Sequence, residues 1–251
     1  MPLVALSCPG FGQDGDEWRQ AISVGAYYAE GDYGEPLDTR INYYPVSYEL
    51  DKGKWGFQLT VPYLEVSGPG NVLINIGGVT QSLASDEVTR SGGLGDTVAS
   101  LIYRFDPWSA KAPFVDLRLD VKLPTADEVK ALGTGEPDYS LQLDFSQAVG
   151  DTALFATTGY NWRGKTTLYA GLQNAFFGQI GFSKPIAEGM QAGAFYDYRE
   201  AASDFAHESH ELVPYISWQL DDNWSFTGLS IFGFTPASAD FSLMGQLRYS
   251  W

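Results

Sequence analysis

The chain has 251 residues, 44% of them hydrophobic and 15% aromatic, and 15 Lys+Arg against 31 Asp+Glu give a formal net charge of -16. That charge repels phosphate backbones and excludes nucleic acid as a partner. A lone Cys8 can build neither an internal disulfide nor a zinc site, and the two histidines, His207 and His210, leave little for His-based chemistry elsewhere. No stretch approaches the roughly 18 uninterrupted apolar residues of a membrane-spanning helix, which excludes a helical membrane protein but not other ways of crossing a bilayer.

In chain order, the first segment, residues 1–19, stands apart from the rest. Met1-Pro2-Leu3-Val4-Ala5-Leu6-Ser7-Cys8 is a short apolar stub, with Ala5 and Ser7 spaced like the end of a cleavage motif. It is expected to be the remnant of a signal peptide, with a lipid-modified Cys8 as the alternative. Residues 20–251 read as one domain, without linker or low-complexity tract. Apolar residues at helical spacing are scarce and Gly and Pro interrupt the chain often, so strands are expected throughout. They are placed at about 20–30, 40–50, 55–67, 95–105, 113–123, 138–148, 152–162, 172–184, 189–199, 211–220, 224–234 and 241–251. Twelve such strands, each near the roughly 9–11 residues that cross a bilayer at a tilt, fit a transmembrane barrel.

Alternation is the evidence for each strand. From Phe114 to Leu123 every second residue is aliphatic, and Asp116, Arg118, Asp120 and Lys122 stand between them. Successive side chains of a strand point to opposite faces, so one face here is apolar and the other charged. Tyr139, Leu141, Leu143 and Phe145 alternate with Ser140, Gln142, Asp144 and Ser146 in the same way. Connections alternate too. Short turns such as Asp51 to Lys54, Val149 to Asp151 and Asp221 to Asn223 separate longer links such as Gly68 to Leu94 and Pro124 to Pro137. An up-and-down barrel gathers all the short turns at one rim and all the long loops at the other.

Alternation alone does not say which face is outside. A soluble barrel or β-sandwich would put the apolar face in. Three features favour the membrane arrangement: mixed charges on the polar face, uncharged long apolar faces, and aromatics at strand ends. The last include Tyr28, Trp55, Tyr103, Trp108, Trp218, Trp224 and Trp251, the positions of headgroup-level girdles. Twelve strands also enclose more space than the roughly eight whose side chains just fill the interior, so a hydrated polar lumen is expected. Its lining candidates are Arg104, Asp116, Arg118, Asp120, Lys122, Asp144, Asp197, Arg199 and Arg248. The ladder from Asp116 to Lys122 either orients solutes or forms wall ion pairs with Asp144, Arg104 and Arg199, and both are compatible.

In the longest link, Val72, Leu73, Ile74 and Ile76 are apolar residues in an otherwise polar loop. They either fold into the mouth and constrict it or form a strand pair above the membrane. His207, His210 and Asp204 invite a hydrolase reading, but no strand-borne Ser partner accompanies them, and an exposed acidic loop explains them more simply. No enzyme activity, cofactor or metal is implied. Excess carboxylates in loops and turns hydrate the rims and, in a pore, favour cations.

The end of the chain, Phe241 to Trp251, resembles the terminal strand signal of Gram-negative outer-membrane proteins, carried here by Leu247, Tyr249 and Trp251. The resemblance implies the barrel assembly machinery as a partner. Further motifs are Leu59-Thr60-Val61-Pro62-Tyr63, Gly92-Gly93-Leu94-Gly95-Asp96, Tyr103-Arg104-Phe105, Lys122-Leu123-Pro124-Thr125-Ala126-Asp127 and Leu132-Gly133-Thr134-Gly135 with Asp138. With them the chain resembles the transporter-like outer-membrane proteins of the MetA-pathway of phenol degradation family. The resemblance implies an all-β, up-and-down barrel of about 12 strands in the bacterial outer membrane. Such a barrel sits among lipid and lipopolysaccharide and passes small organic solutes, aromatic or hydrophobic. A barrel with a plugged lumen that serves interaction is the alternative, and an outer-membrane hydrolase a third.

Overall fold

The computed structural model of the protein describes residues 17–33, 37–69, 72–75, 78–81, 88–127, 130, 132–165, 171–203 and 206–251. Residues 1–16, and with them Cys8 and the expected signal remnant, lie outside the described residues, as does Asp204.

The described residues form strands and no helix of membrane-spanning length. In chain order they are β1 (Arg19–Gly31), β2 (Thr39–Lys52), β3 (Trp55–Pro69), β4 (Val72–Asn75), β5 (Gly78–Gln81), β6 (Val88–Leu94), β7 (Thr97–Phe105), β8 (Phe114–Leu123), β9 (Asp138–Val149), β10 (Thr152–Trp162), β11 (Ala175–Ala187), β12 (Met190–Arg199), β13 (Ser209–Gln219), β14 (Trp224–Gly233) and β15 (Phe241–Ser250). Twelve of them, β1–β3 and β7–β15, close into an antiparallel barrel at the positions that alternation predicts. Each is hydrogen-bonded to its chain neighbour, and β1 pairs β15 to complete the ring, from Ala21↔Ser250 to Glu30↔Phe241. Just beyond that ladder Gln20 and Trp251 exchange two backbone bonds of 3.0 Å. Closure leaves the barrel ring without an exposed edge pair, as a spanning sheet requires where no water can satisfy its backbone.

Side-chain exposure decides the direction of the faces. Val24, Val46, Leu101, Leu119, Leu154, Ile180, Phe182, Ile216 and Leu243 are all exposed, while their chain neighbours Ser23, Ser47, Ser100, Asp120, Ser183 and Ser242 are buried. An apolar exterior continuous around a barrel is a surface for hydrocarbon, because contiguous patches of this size are not stable in water. Aromatic pairs mark both rims of that band. Trp55–Tyr103 at 4.7 Å and Trp224–Tyr249 at 4.8 Å stand at the short-turn rim, and Tyr160–Trp162 at 5.0 Å and Phe232–Phe241 at 6.2 Å at the long-loop rim.

The long link between β3 and β7 holds more structure than a loop. Strand β6 pairs the far half of β3 and β7 its near half, through Tyr63↔Leu94 and Thr60↔Val98, so the two behave as one strand offset by one residue at Gly95-Asp96. Gly95 donates its N–H to the Pro62 carbonyl at 2.9 Å. A Cβ on Gly95 would lie 2.4 Å from Leu64 Cδ1 and 3.0 Å from Pro62 Cγ, so this bulge requires glycine. Strands β4 and β5 form a separate hairpin, Val72↔Gln81 to Asn75↔Gly78. Val72, Leu73 and Ile74 thus belong to a strand pair in backbone terms. Ile76 and the side chains on which a constriction would depend lie outside the described residues.

Candidate functional site

The candidate site is the barrel interior, and it has two unlike walls. On β7, β8 and β9 the inward positions carry charge. Arg118 donates to Asp120 Oδ1 at 2.8 Å, to Ser100 Oγ at 2.8 Å and to Gln58 Oε1 at 3.0 Å. Arg104 reaches Asp51 at 2.7 Å and Asp116 at 4.0 Å. Asp144 accepts from Gln142 Nε2 at 2.8 Å and from Thr157 Oγ1 at 2.5 Å. Alternation places these groups on one face, and pairing by hydrogen bond or opposite charge makes their withdrawal from water tolerable.

The partners differ in part from those expected. Arg199 pairs not with the β8 ladder but with Asp197 on its own strand, at 2.7 Å, and Asp197 also accepts from Gln179. Asp144 is held by neutral donors rather than by an ion pair. Arg248 on β15 reaches Glu49 on β2 at 2.9 Å, a pairing visible only once β1 lies between the two strands. A ladder read along one strand gives the face of each charge and the neighbours two residues away, as for Arg118–Asp120 and Arg199–Asp197, but partners on other strands, as for Arg248–Glu49 and Arg104–Asp51, depend on register.

Lys122, at the long-loop end of β8, is the centre of a buried node. Its ammonium lies 2.8 Å from Asp138 Oδ2 and 3.1 Å from Asp96 Oδ2, and donates to Thr134 Oγ1 at 2.9 Å. All four side chains are buried, Lys122 to 2% exposure. Asp96 also accepts from the N–H of Ala126 at 3.0 Å, and Thr125 Oγ1 accepts from the N–H of Thr97 at 2.8 Å. These contacts pull the β8–β9 link inward: Leu132 and Thr134 are buried at 3% and 1%. The motifs from Gly92 to Asp138 that look scattered in the sequence therefore converge on one point at the mouth. Asp96, Thr134 and Asp138 were legible as motif members but not as partners of Lys122, because the contact joins the end of β8, the start of β9, the β6–β7 bulge and the β8–β9 link.

The opposite wall departs from the expected polar lining. On β12–β15 the inward residues Phe195, Val213, Tyr215, Leu229, Ile231 and Met244 form a buried apolar cluster, with Tyr27 and Phe155 packed against it. Phe155 and Phe195 meet edge-on at 6.1 Å. The sequence hint is a loss of alternation: Leu212-Val213 and Ile231-Phe232 put apolar residues on both faces. A strand apolar on both faces in a barrel has one face to lipid and the other to the lumen. The link between β14 and β15 folds inward, where Ala239 packs with Ala29, Tyr33 and Ile41 in a second buried cluster that shares Tyr27 with the first, and Ser209 Oγ lies 2.9 Å from the buried Ser238 Oγ.

At the rim of the same wall, His210 faces outward, hydrogen-bonded to the Tyr196 hydroxyl and 3.4 Å from Glu208. Among the described residues no three His, Cys, Asp or Glu side chains gather as a metal site. Leu247, Tyr249 and Trp251 take outward positions on or just beyond β15, with Tyr249 stacked on Trp251 at 5.6 Å.

Comparison with solved structures places the fold. An outer-membrane channel from Pseudomonas putida F1 is similar over 97% of this chain and 99% of its own, with a TM-score of 0.70 at 11% identity. The KdgM porin is similar over 91% of this chain and 99% of its own, with a TM-score of 0.57 at 10% identity. The transport unit of the autotransporter AIDA-I from Escherichia coli covers all of this chain with 94% of its own, at a TM-score of 0.56 and 10% identity. No curated protein matches the sequence. A family model matches residues 37–249, nearly the whole described barrel, and the chain belongs to the family it defines, "Putative MetA-pathway of phenol degradation".

Proposed function

We propose that the protein is a bacterial outer-membrane channel through which small organic solutes with aromatic or hydrophobic bodies cross. The two-sided interior carries this reading. A solute that is partly apolar and partly polar finds Tyr27 and Phe155, packed against the Phe195–Tyr215–Met244 cluster, on one side and the Arg118–Asp120–Asp144 wall on the other. Neither a water-only pore nor a dry core would use both. The exterior apolar band sits in outer-membrane lipid, its rims face lipopolysaccharide on one side, and the final strand carries the signal for the assembly machinery. Nothing in this mechanism calls for a cofactor, a metal or bond chemistry.

Liposome swelling with the purified barrel tests it. Swelling in small aromatic solutes above that of empty liposomes, and faster than in sugars of equal mass, is the expected result. No swelling in any solute would favour an interaction barrel with a filled lumen. The specific observation behind that second reading is the burial of the mouth by inward-folded links, with Thr134 and Ser238 at 1% and 3% exposure.

A further inference from the structure

Of the cations that face the barrel interior among the described residues, Arg104, Arg118, Lys122, Arg199 and Arg248 all have a carboxylate within 4.0 Å. Arg163 differs. It follows β10 at the long-loop rim, continues the inward parity of Gly159 and Asn161, and is buried at 7% exposure. Its Nη1 donates to the Gln173 carbonyl at 2.8 Å, but Nε and Nη2 have no hydrogen-bond partner. Those two nitrogens form one edge of the guanidinium, the edge that matches the two oxygens of a carboxylate.

The neighbouring charges do not fill that edge. Asp138 attracts Arg163, yet its oxygens are engaged by Lys122 and by the N–H of Gly164 at 2.8 Å. Arg199, the like charge that acts on Arg163, is already paired with Asp197. Burial depresses the Arg163 pKa from its ordinary value and Asp138 opposes that, so a buried cation stands with its strongest recognition edge unused. Two residues away Asn161 is also buried, with its Oδ1 unpartnered. Amide orientation follows the hydrogen-bond network, so a bound anion would turn the Asn161 amide nitrogen toward itself as a third donor. Next along the same inward face, Phe177 lies over Gly159: a Cβ there would meet the Phe177 ring at 2.2 Å. Gly159 gives that ring its seat two residue pairs below Asn161, the next position on the inward face.

We infer that Arg163, Asn161 and Phe177 form a binding site for an organic carboxylate, with the carboxylate on the free Nε/Nη2 edge of Arg163 and the apolar body of the solute against Phe177. The site rests on the channel reading for how the solute arrives, and it narrows the solute class from organic to anionic organic. It also fits a protein of net charge -16, where a general field would not collect anions and a local fork is required to hold one.

Isothermal titration of the purified barrel in detergent tests the site, because it reads binding whether or not solute passes. The probes are benzoate, benzyl alcohol and inorganic phosphate. The expected result is that benzoate binds at least tenfold more tightly than either other probe, that Arg163→Gln weakens benzoate at least tenfold, and that Arg163→Lys restores only part, since an ammonium keeps the charge without the fork. Equal affinity for benzoate and benzyl alcohol, or an unchanged benzoate affinity in R163Q, overturns the proposal: the free edge is then served by water. Phosphate binding as tightly as benzoate overturns the role of Phe177, and full benzoate affinity in R163K overturns the fork. Heat-modifiable migration reports whether each variant is folded, and if R163Q is not, the three-probe comparison on the unaltered protein still decides. Swelling without benzoate binding would reject this site and leave the channel standing, whereas benzoate binding without swelling would do the reverse.

Discussion

The two walls of the lumen are built by the same rule and stabilised in different ways. Strands β7–β9 and β12–β15 each turn every second residue inward, and the two groups lie on opposite sides of the twelve-strand ring. On the first wall each buried charge depends on a named neighbour, as Arg118 depends on Asp120, Ser100 and Gln58. On the second, Phe195, Val213, Leu229 and Met244 gain by packing, which is non-directional. The charged wall is therefore sensitive to the loss of any one partner, while the apolar wall responds to the volume removed.

The largest effect is expected at Lys122. Lys122→Met leaves Asp96 and Asp138 buried and facing each other without a cation, and breaking such a buried pair costs about 3–5 kcal/mol. Urea unfolding in lipid vesicles measures it, and adding Asp96→Asn with Asp138→Asn to K122M should recover most of the loss. A loss under about 1 kcal/mol would mean that the node is hydrated and unlike a buried site. On the other wall Phe195→Ala should cost about 3 kcal/mol in the same assay, as for a large side chain removed from a packed cluster. If K122M and F195A behaved alike under rescue, with polar substitutions restoring both, the contrast between the walls would fail.

A smaller effect concerns selectivity rather than stability. Arg118→Gln removes a cation from the wall while Asp116, Asp120 and Asp144 remain, so the reversal potential under a salt gradient should move toward cations. A shift toward anions would contradict the placement of these groups along the path. The smallest effect is expected outside both walls. Asp151, in the β9–β10 turn, is held below the usual carboxylate range by its hydrogen bond to Lys184, and the two lie 3.3 Å apart with both side chains exposed. A lowered folded pKa contributes stability above the unfolded pKa and loses it as pH falls through the folded value. Solvent screening makes that contribution slight, so Lys184→Ala should leave the unfolding midpoint close to that of the unaltered protein both at pH 7 and below about pH 4, where the carboxyl titrates.

Much of the barrel was legible because a strand writes its two faces into the sequence with period two. Asp116-Leu117-Arg118-Leu119-Asp120 reads as a strand with one apolar and one charged face without any neighbour. The apolar wall was less legible because Val213 and Tyr215 stand beside Leu212 and Ile216, and two apolar faces in one strand carry no sign of which is inside. Arg163 was missed because one arginine in a link carries no period at all; its distinction is the set of partners that it lacks.

By itself the sequence determined the number of crossing strands, the alternation of short turns and long links, and which residues share a face, since all of these are local consequences of backbone pleat and turn chemistry. Tertiary structure alone decided which side chains meet across strands and links. Glu49 and Arg248 are 199 residues apart in the chain and 2.9 Å apart in space because β1 pairs β15 and closes the ring. Asp96, Lys122, Thr134 and Asp138 share one node for the same reason: register between strands is set by the closure of the whole sheet, and no window of sequence contains it.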